Sequence, residues 1–204
     1  AAFGKGFKET DKKLLNSPYA QFLKMTSEVR CLFKVGEKQH IATRLMGGIL
    51  YAYGNQTVAP YSEQFYIGGA NSIRAFTVRS IGPGSYRPED KQYGYLDETG
   101  DVKLEANVEY RFPILGDLYG AAFLDAGNVW LLREQKNEEG ENIRPGGLLT
   151  LRNFAKSVAL GTGVGLSYDL TFPVTRLDLG IALHDPYDTG KKGYYNIPKF
   201  KDGL

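Results

Sequence analysis

Residues 101–112 read Asp101-Val-Lys-Leu-Glu-Ala-Asn-Val-Glu-Tyr-Arg-Phe112, an alternation without a fault. Val102, Leu104, Ala106, Val108, Tyr110 and Phe112 fall on one face of an extended chain. Asp101, Lys103, Glu105, Asn107, Glu109 and Arg111 fall on the other. Period two marks a β-strand, because successive side chains point to opposite sides of a sheet. The stretch therefore predicts a strand with one apolar and one charged face. What the apolar face meets is the question that decides the fold.

The same pattern recurs on both sides of this stretch. Leu23, Met25, Ser27, Val29, Cys31, Phe33 and Val35 alternate with Phe22, Lys24, Thr26, Glu28, Arg30 and Leu32. After a short turn at Val35–Lys38, Ile41, Thr43, Leu45, Ile49, Tyr51 and Tyr53 form an apolar face with Arg44 opposite, and Gly54-Asn55-Gln56 ends the strand. Downstream, Pro113–Asp117 reads as a short turn. Leu118–Leu132 follows as a strand with Tyr119, Phe123, Asp125, Gly127 and Val129 on one side. Val158–Phe172 sets Leu160, Thr162, Val164, Leu166, Tyr168 and Leu170 against Ala159, Gly161, Gly163, Gly165, Ser167 and Asp169. Beyond the turn at Pro173, Leu177, Leu179, Ile181 and Leu183 oppose Arg176, Asp178, Gly180, Ala182 and His184. Ala1–Tyr19 and Asp185–Leu204 read as loop.

Six strands result, joined by connections that run short, long, short, long, short. The long ones are Val58–Gly100 and Arg133–Lys156. Short turns at one end and long loops at the other are the habit of outer-membrane barrels, whose strands are apolar outside and polar inside. A soluble sandwich would bury the apolar face against a second sheet instead. The rhythm predicts that Asn55–Gly100 and Arg133–Lys156 share one side of a membrane, with Val35–Lys38 and Pro113–Asp117 on the other. Val102, Leu104, Val108, Leu166, Leu177 and Ile181 are expected to face lipid. A lysine at Leu166 would then cost roughly 2–4 kcal/mol if that residue sits near the bilayer midplane.

Composition fits. The 204 residues suffice for one domain and include 25 Gly, 14 Tyr and 11 Phe, which suits β structure. The net charge of +2 gives no basis for a nucleic-acid partner. Cys31, the single cysteine, cannot form an internal disulfide and reads as an apolar-facing strand residue. His40 and His184 lie too far apart in sequence to suggest a metal centre, so no metal or cofactor is expected. No run approaches the roughly 20 apolar residues of a membrane helix, and Ala1–Lys13 has no apolar signal segment. No nucleophile–base–acid set stands out, so no enzyme activity is expected. Gly161, Gly163 and Gly165 lie in a period-two strand with no helix after it, which fails the context of a dinucleotide motif. They either clear the wall for an inserted loop or bend the sheet. Asp169, Asp178 and Arg176 read as solvated charges. Tyr51, Tyr53, Tyr110 and Phe112, near strand ends, are interface-belt or ordinary strand aromatics.

The long connection holds the most informative loop, Phe65-Tyr-Ile-Gly-Gly-Ala-Asn-Ser-Ile-Arg-Ala-Phe-Thr-Val-Arg-Ser-Ile-Gly-Pro-Gly84. Gly68 and Gly69 permit positive φ, and Asn71 and Ser72 can bond their own backbone in a turn. Arg74 then sits between Ile73 and Ala75-Phe76. Local chemistry leaves two readings: a tip tucked into a cavity with its guanidinium on a buried carboxylate, or a surface turn with a solvated arginine.

This loop resembles the signature of the BamA/TamA family of outer-membrane assembly proteins, the bacterial surface antigen family. There a Gly-Gly segment is followed by valine-arginine-glycine-tyrosine or -phenylalanine and then often by Ile-Gly-Pro. Ile73, Arg74, Ala75 and Phe76 occupy the tetrad here, and Ile81, Gly82 and Pro83 follow. Ala75 stands where the family usually has glycine and is strained if that position needs φ > 0. Phe123-Leu-Asp-Ala-Gly-Asn-Val-Trp130 is similar to the family's phenylalanine-x-aspartate-x-glycine strand, and Val108–Pro113 to the strand before it, with an inward glutamate.

The resemblance implies an all-β fold: an antiparallel transmembrane barrel fragment of six meandering strands, part of a larger barrel of about 16 strands, with the long loop folded into its lumen. Residues 1–204 would be the C-terminal part of such a domain, without its POTRA domains, first strands and last strand. It implies a protein of the bacterial outer membrane that inserts β-barrel proteins through a lateral strand seam. Its partners would be outer-membrane lipid, unfolded β-barrel clients and accessory lipoproteins. The motif Gly68, Gly69, Ile73, Arg74, Ala75 and Phe76 would dock on Glu109, Asp125 and Gly127 of the wall. Glu109 lies on the inward row of its strand, and Asp125 is the one acid between Leu118 and Leu132. Two other readings are a two-partner-type polypeptide secretion pore and a soluble β-domain that binds carbohydrate or protein.

Overall fold

A computed structural model describes residues 13–14, 17–87, 98–152, 154–169 and 174–187. Two-residue strands β1 (Lys13–Leu14) and β2 (Ser17–Pro18) pair with each other, where the sequence suggested only loop. The six long strands are β3 (Gln21–Lys34), β4 (His40–Tyr53), β5 (Val102–Leu115), β6 (Leu118–Trp130), β7 (Ala159–Asp169) and β8 (Val174–His184). They form one antiparallel meander in the order β3-β4-β5-β6-β7-β8. The sheet is open, with β3 and β8 at its edges. Among the described residues no helix is long and apolar enough to cross a membrane, which says nothing of crossing by strands.

Boundaries differ most from the sequence reading at the ends of β5 and β6. β5 runs through Pro113 to Leu115 rather than stopping at Phe112, so the turn shrinks to Gly116-Asp117. Pro113 lacks the N–H a regular ladder needs, and the register shifts between Pro113 and Leu115, which accommodates it. Gly116 takes φ +57°, the left-handed region a two-residue hairpin asks for. β6 ends at Trp130 rather than Leu132 because Leu131 leaves the β5 ladder and bridges Leu148. Residues 88–97, 170–173 and 188–204, on which parts of the predicted loops and of the Val158–Phe172 strand fall, lie outside the described residues.

Cross-strand register shows which residues share a face. Leu45, Ala106 and Ala126 are one row, and Thr43, Val108, Leu124 and Thr162 the next. On β7 and β8, Val164 pairs with Leu179 and Leu166 with Leu177. This outward row is apolar yet exposed: Leu23, Met25, Val29, Leu45, Val164, Leu166, Leu177 and Leu179 all lie open. Cys31 is exposed on it as well. Of the residues expected to face lipid, Val108, Leu166, Leu177 and Ile181 are exposed, while Val102 and Leu104 are half-buried. Their rows run on to Trp130 and Asn128, over which a later segment folds.

The core lies on the opposite, inner face. Ile67, Ile73 and Ile81 of the long connection are fully buried against Leu50 of β4, Val129 of β6 and Phe65. Each such side chain contributes roughly 1.5–3 kcal/mol on removal from water. The apolar centre is therefore built between one sheet and its own loop, not between two sheets. A soluble sandwich would have covered the outward row.

The long connections leave one end of the sheet and the short turns the other. Cysteine replacements at Glu37 and Glu138, both exposed, test the sidedness. In intact cells a membrane-impermeant maleimide is expected to label one position and spare the other; equal labelling at both would sink the topology.

Candidate functional site

The long connection folds back on the inner face and turns sharply at Gly68 and Gly69, with φ of +101° and +91°. Either glycine would clash if it carried a Cβ, Gly68 against the Thr77 carbonyl and Gly69 against Val78. The tip is tied by its own backbone. Gly69 N–H donates to Phe76 O at 2.8 Å, Phe76 N–H to Ile73 O at 3.1 Å, and Gly68 N–H to Ser72 Oγ at 3.0 Å. These bonds present Arg74 to the wall. Ile73 drops into the core and Phe76 packs beside it.

Arg74 makes a forked contact with Asp125. Its Nε and Nη2 donate to the two carboxylate oxygens at 2.9 Å each, and its backbone N–H adds a third bond at 3.0 Å. Nη1 bonds Glu109 and lies 3.7 Å from Asp178. The guanidinium carbon stands 3.5 Å from the centre of the Phe123 ring. A planar ion that stacks on a ring while its fork meets a carboxylate uses geometry that a lysine lacks. Asp125 is fully buried and also accepts from Asn107 Nδ2 at 2.9 Å.

The structure thus brings Gly68, Gly69, Ile73, Arg74, Ala75 and Phe76 onto the wall that carries Glu109, Asp125 and Gly127. The sequence reading missed three members of the network: Arg111, and Arg176 and Asp178, both read there as solvated charges. Arg176 forks onto Glu109 with two bonds of 2.9 Å and also binds Asp178. With Arg111 on Glu109, three guanidiniums face three carboxylates, so the cluster carries no net charge. β8 is paired with β7 and not with β5, so strand order alone does not suggest that Arg176 reaches Glu109.

A second contact, also unforeseen, holds the other side of the tip. Glu105 is fully buried and accepts from Arg44 at 2.7 Å, Ser72 Oγ at 2.9 Å and Lys103 at 3.0 Å. Arg44 donates to Asn71 O, and Asn107 to Ser72 O. The available signal was the polar row of residues 101–111, three of whose members, Glu105, Asn107 and Glu109, meet the loop. Among the described residues no group of His, Cys, Asp or Glu is arranged to hold a metal.

Ala75 is not strained. Among described non-glycine residues positive φ occurs at Arg79, not at Ala75. The glycine is on the wall instead: a Cβ built on Gly161 would lie 2.6 Å from Ala75 Cβ, and one on Gly180 3.0 Å from Ala75 Cα. Gly127 makes room for Ile67, and Gly48 for Phe65. Of the glycine row in β7, only Gly161 meets the loop. Gly163 lies under the Phe123 ring and Gly165 faces Asp178. Gly161→Ala is therefore expected to cost about 1–3 kcal/mol by overpacking. Ala75→Gly in the same chain should recover most of it, since the clashing atom is gone and the next neighbour, Ile73, is 3.4 Å away. Urea midpoints measured in vesicles check this, and simple additivity would reject the contact.

The Omp85 superfamily domain matches residues 16–197. The chain belongs to the Omp85 superfamily. This Omp85 chain is 32% identical over 88 residues to the outer membrane protein assembly factor BamA of Neisseria meningitidis, covering 41% of the chain and 11% of that protein. It is 29% identical over 165 residues to sorting and assembly machinery component 50 homolog B of Xenopus laevis, covering 79% of the chain and 32% of that protein. The crystal structure of BamA from Haemophilus ducreyi lacking POTRA domains 1-3 matches at a TM-score of 0.59 and 18% identity, over 80% of this chain and 32% of that one. That likeness shows a shared fold. The chain thus spans about a third or less of these relatives' length. Relatives in a bacterium and in a frog mean that Omp85 membership does not by itself make the source bacterial.

Proposed function

We propose that this chain is the C-terminal part of an outer-membrane barrel that assembles or inserts other β-barrel proteins. The observation that carries the reading is the loop docked inside the curve of the sheet, with Arg74 on Asp125 and Glu109. A loop anchored there stiffens one wall of a barrel that must stay intact while another part of it opens. Open strand edges are templates for pairing, which suits a seam that accepts client strands. The names of the curated relatives, an assembly factor and a sorting and assembly component, support the same reading. Further strands and periplasmic domains belong to the proposal, as do unfolded barrel clients and accessory lipoproteins. The role is structural and templating, with no bond chemistry and no cofactor.

The test is client insertion by the full-length protein in vesicles. It is expected to speed the folding of an added barrel protein, and Arg74→Ala and Asp125→Ala to slow it. Export of a polypeptide across the vesicle wall without acceleration of barrel folding would reject the reading in favour of a secretion pore.

A further inference from the structure

Asn128 and Trp130 break the rule of the outward row. Their cross-strand partners Leu104 and Val102 put them on the same face as Val108 and Leu124, which is exposed. Yet Asn128 is fully buried and Trp130 nearly so. Much of the cover is a single helical turn, Phe154–Ser157, at the end of the second long connection, with Gly84 O of the first long connection also accepting from Asn128 Nδ2 at 2.8 Å. Trp130 Nε1 donates to Ser157 Oγ at 2.9 Å, the Trp130 ring stacks on Phe154 with centroids 5.2 Å apart, and Asn128 Nδ2 bonds Ser157 O. The connection has therefore folded over the rim of the sheet onto its outer side.

What this segment then shows to its surroundings is apolar and basic. Leu151 is 101% exposed, and Leu149 is open at 38%. Arg152 and Lys156 are exposed beside them. The acidic run Glu138, Glu139 and Glu141 belongs to the same connection but lies well before this patch in sequence. Trp130 also ends β6 at the long-connection end of the sheet, where a membrane interface would lie.

We propose that Leu149, Leu151, Arg152, Phe154 and Lys156 form a lipid-interface anchor. Leu149 and Leu151 enter the headgroup–acyl boundary, and Arg152 and Lys156 meet anionic headgroups. The occupant is the bilayer because the segment lies over Trp130 and Asn128, members of the outward row, and because leucines flanked by cations are what an interfacial segment presents. The inference rests on the outer-membrane barrel reading. It goes beyond that reading by assigning the second long connection to the membrane surface rather than to water.

The experiment uses the full-length protein with Cys31→Ser, in vesicles of phosphatidylcholine and phosphatidylglycerol. An environment-sensitive dye is attached at Leu151→Cys, Glu139→Cys or Leu177→Cys in turn. Leu151 makes no buried contact, so the label leaves folding undisturbed. At Leu151 the dye should be quenched by lipid carrying a nitroxide near the headgroup and protected from aqueous iodide; at Glu139 the reverse should hold. Arg152→Glu with Lys156→Glu should cut lipid quenching at Leu151 about twofold while sparing Leu177; no change would overturn the headgroup contact. Iodide quenching at Leu151 equal to that at Glu139 would overturn the anchor. So would protection from both quenchers, which would mean a protein cover. Leu177 separates the two levels. If it is quenched by nitroxides in the acyl chains and Leu151 is not quenched by nitroxides at the headgroup, the anchor alone falls. If neither is quenched, the membrane reading falls and takes the anchor with it.

Discussion

Asp125→Ala is expected to undock the loop tip at a cost of about 3–5 kcal/mol, the range for removing one partner of a buried ion pair. Asp125 accepts three bonds from Arg74 and one from Asn107. Without it the guanidinium keeps Glu109 and the Phe123 ring but loses its fork, which leaves a partly buried charge under-paired. Arg74→Ala strands the same carboxylate and should cost a similar amount. Because both changes break one contact, the double mutant should be little worse than either single. Glu109→Ala should cost less, since Arg176 keeps Asp178 and Arg111 is half exposed. Arg74→Lys should rescue poorly, because an ammonium cannot serve both oxygens of Asp125 and stack on Phe123 at once. Protease cleavage within the loop, read against urea, reports docking directly. Additive losses for Arg74→Ala and Asp125→Ala would reject the coupling.

Lysine on the outward row should come next in effect. Val164, exposed and at the middle of β7, pairs with Leu179 on β8. Either change to lysine is expected to cost about 2–4 kcal/mol near the bilayer midplane. Leu166 lies one outward row nearer the short turns, so the same change there should cost less than at Val164. Lysine at Glu37, in a turn, should cost nothing measurable. Folding yield in vesicles as a function of urea gives the ranking. Tolerance of lysine at Val164, Leu179 and Leu166 alike would refute lipid contact, because a water-facing row would show no dependence on depth.

Period-two alternation is a local property, which is why the sequence by itself determined the six strands, their faces and the end at which the long loops lie. The faultless row from Asp101 to Phe112 needed no knowledge of its neighbours. The loop motif was legible for a related reason. Gly68 and Gly69 announce a turn, and a lone arginine among Ile73, Ala75 and Phe76 must find an acid if that turn is buried. Local chemistry left a solvated turn equally open, and it was the resemblance to the surface antigen family that pointed to Asp125 and Glu109 as the wall acids.

Register and reach across the curve of the sheet belong to the tertiary structure alone. Alternation assigns a residue to a face but not to a partner, so Arg176 on Glu109 and Arg44 on Glu105 could not be read from their own strands. The same holds for the glycines. Gly161, Gly163 and Gly165 look alike in sequence, yet one meets Ala75, one a phenyl ring and one a carboxylate. Ala75 escapes strain because the room it needs was made on the opposite wall, by Gly161 and Gly180. Trp130 is the clearest case. Its parity sends it outward, and only the fold of a segment more than 20 residues later, Phe154–Ser157, decides that it is buried there.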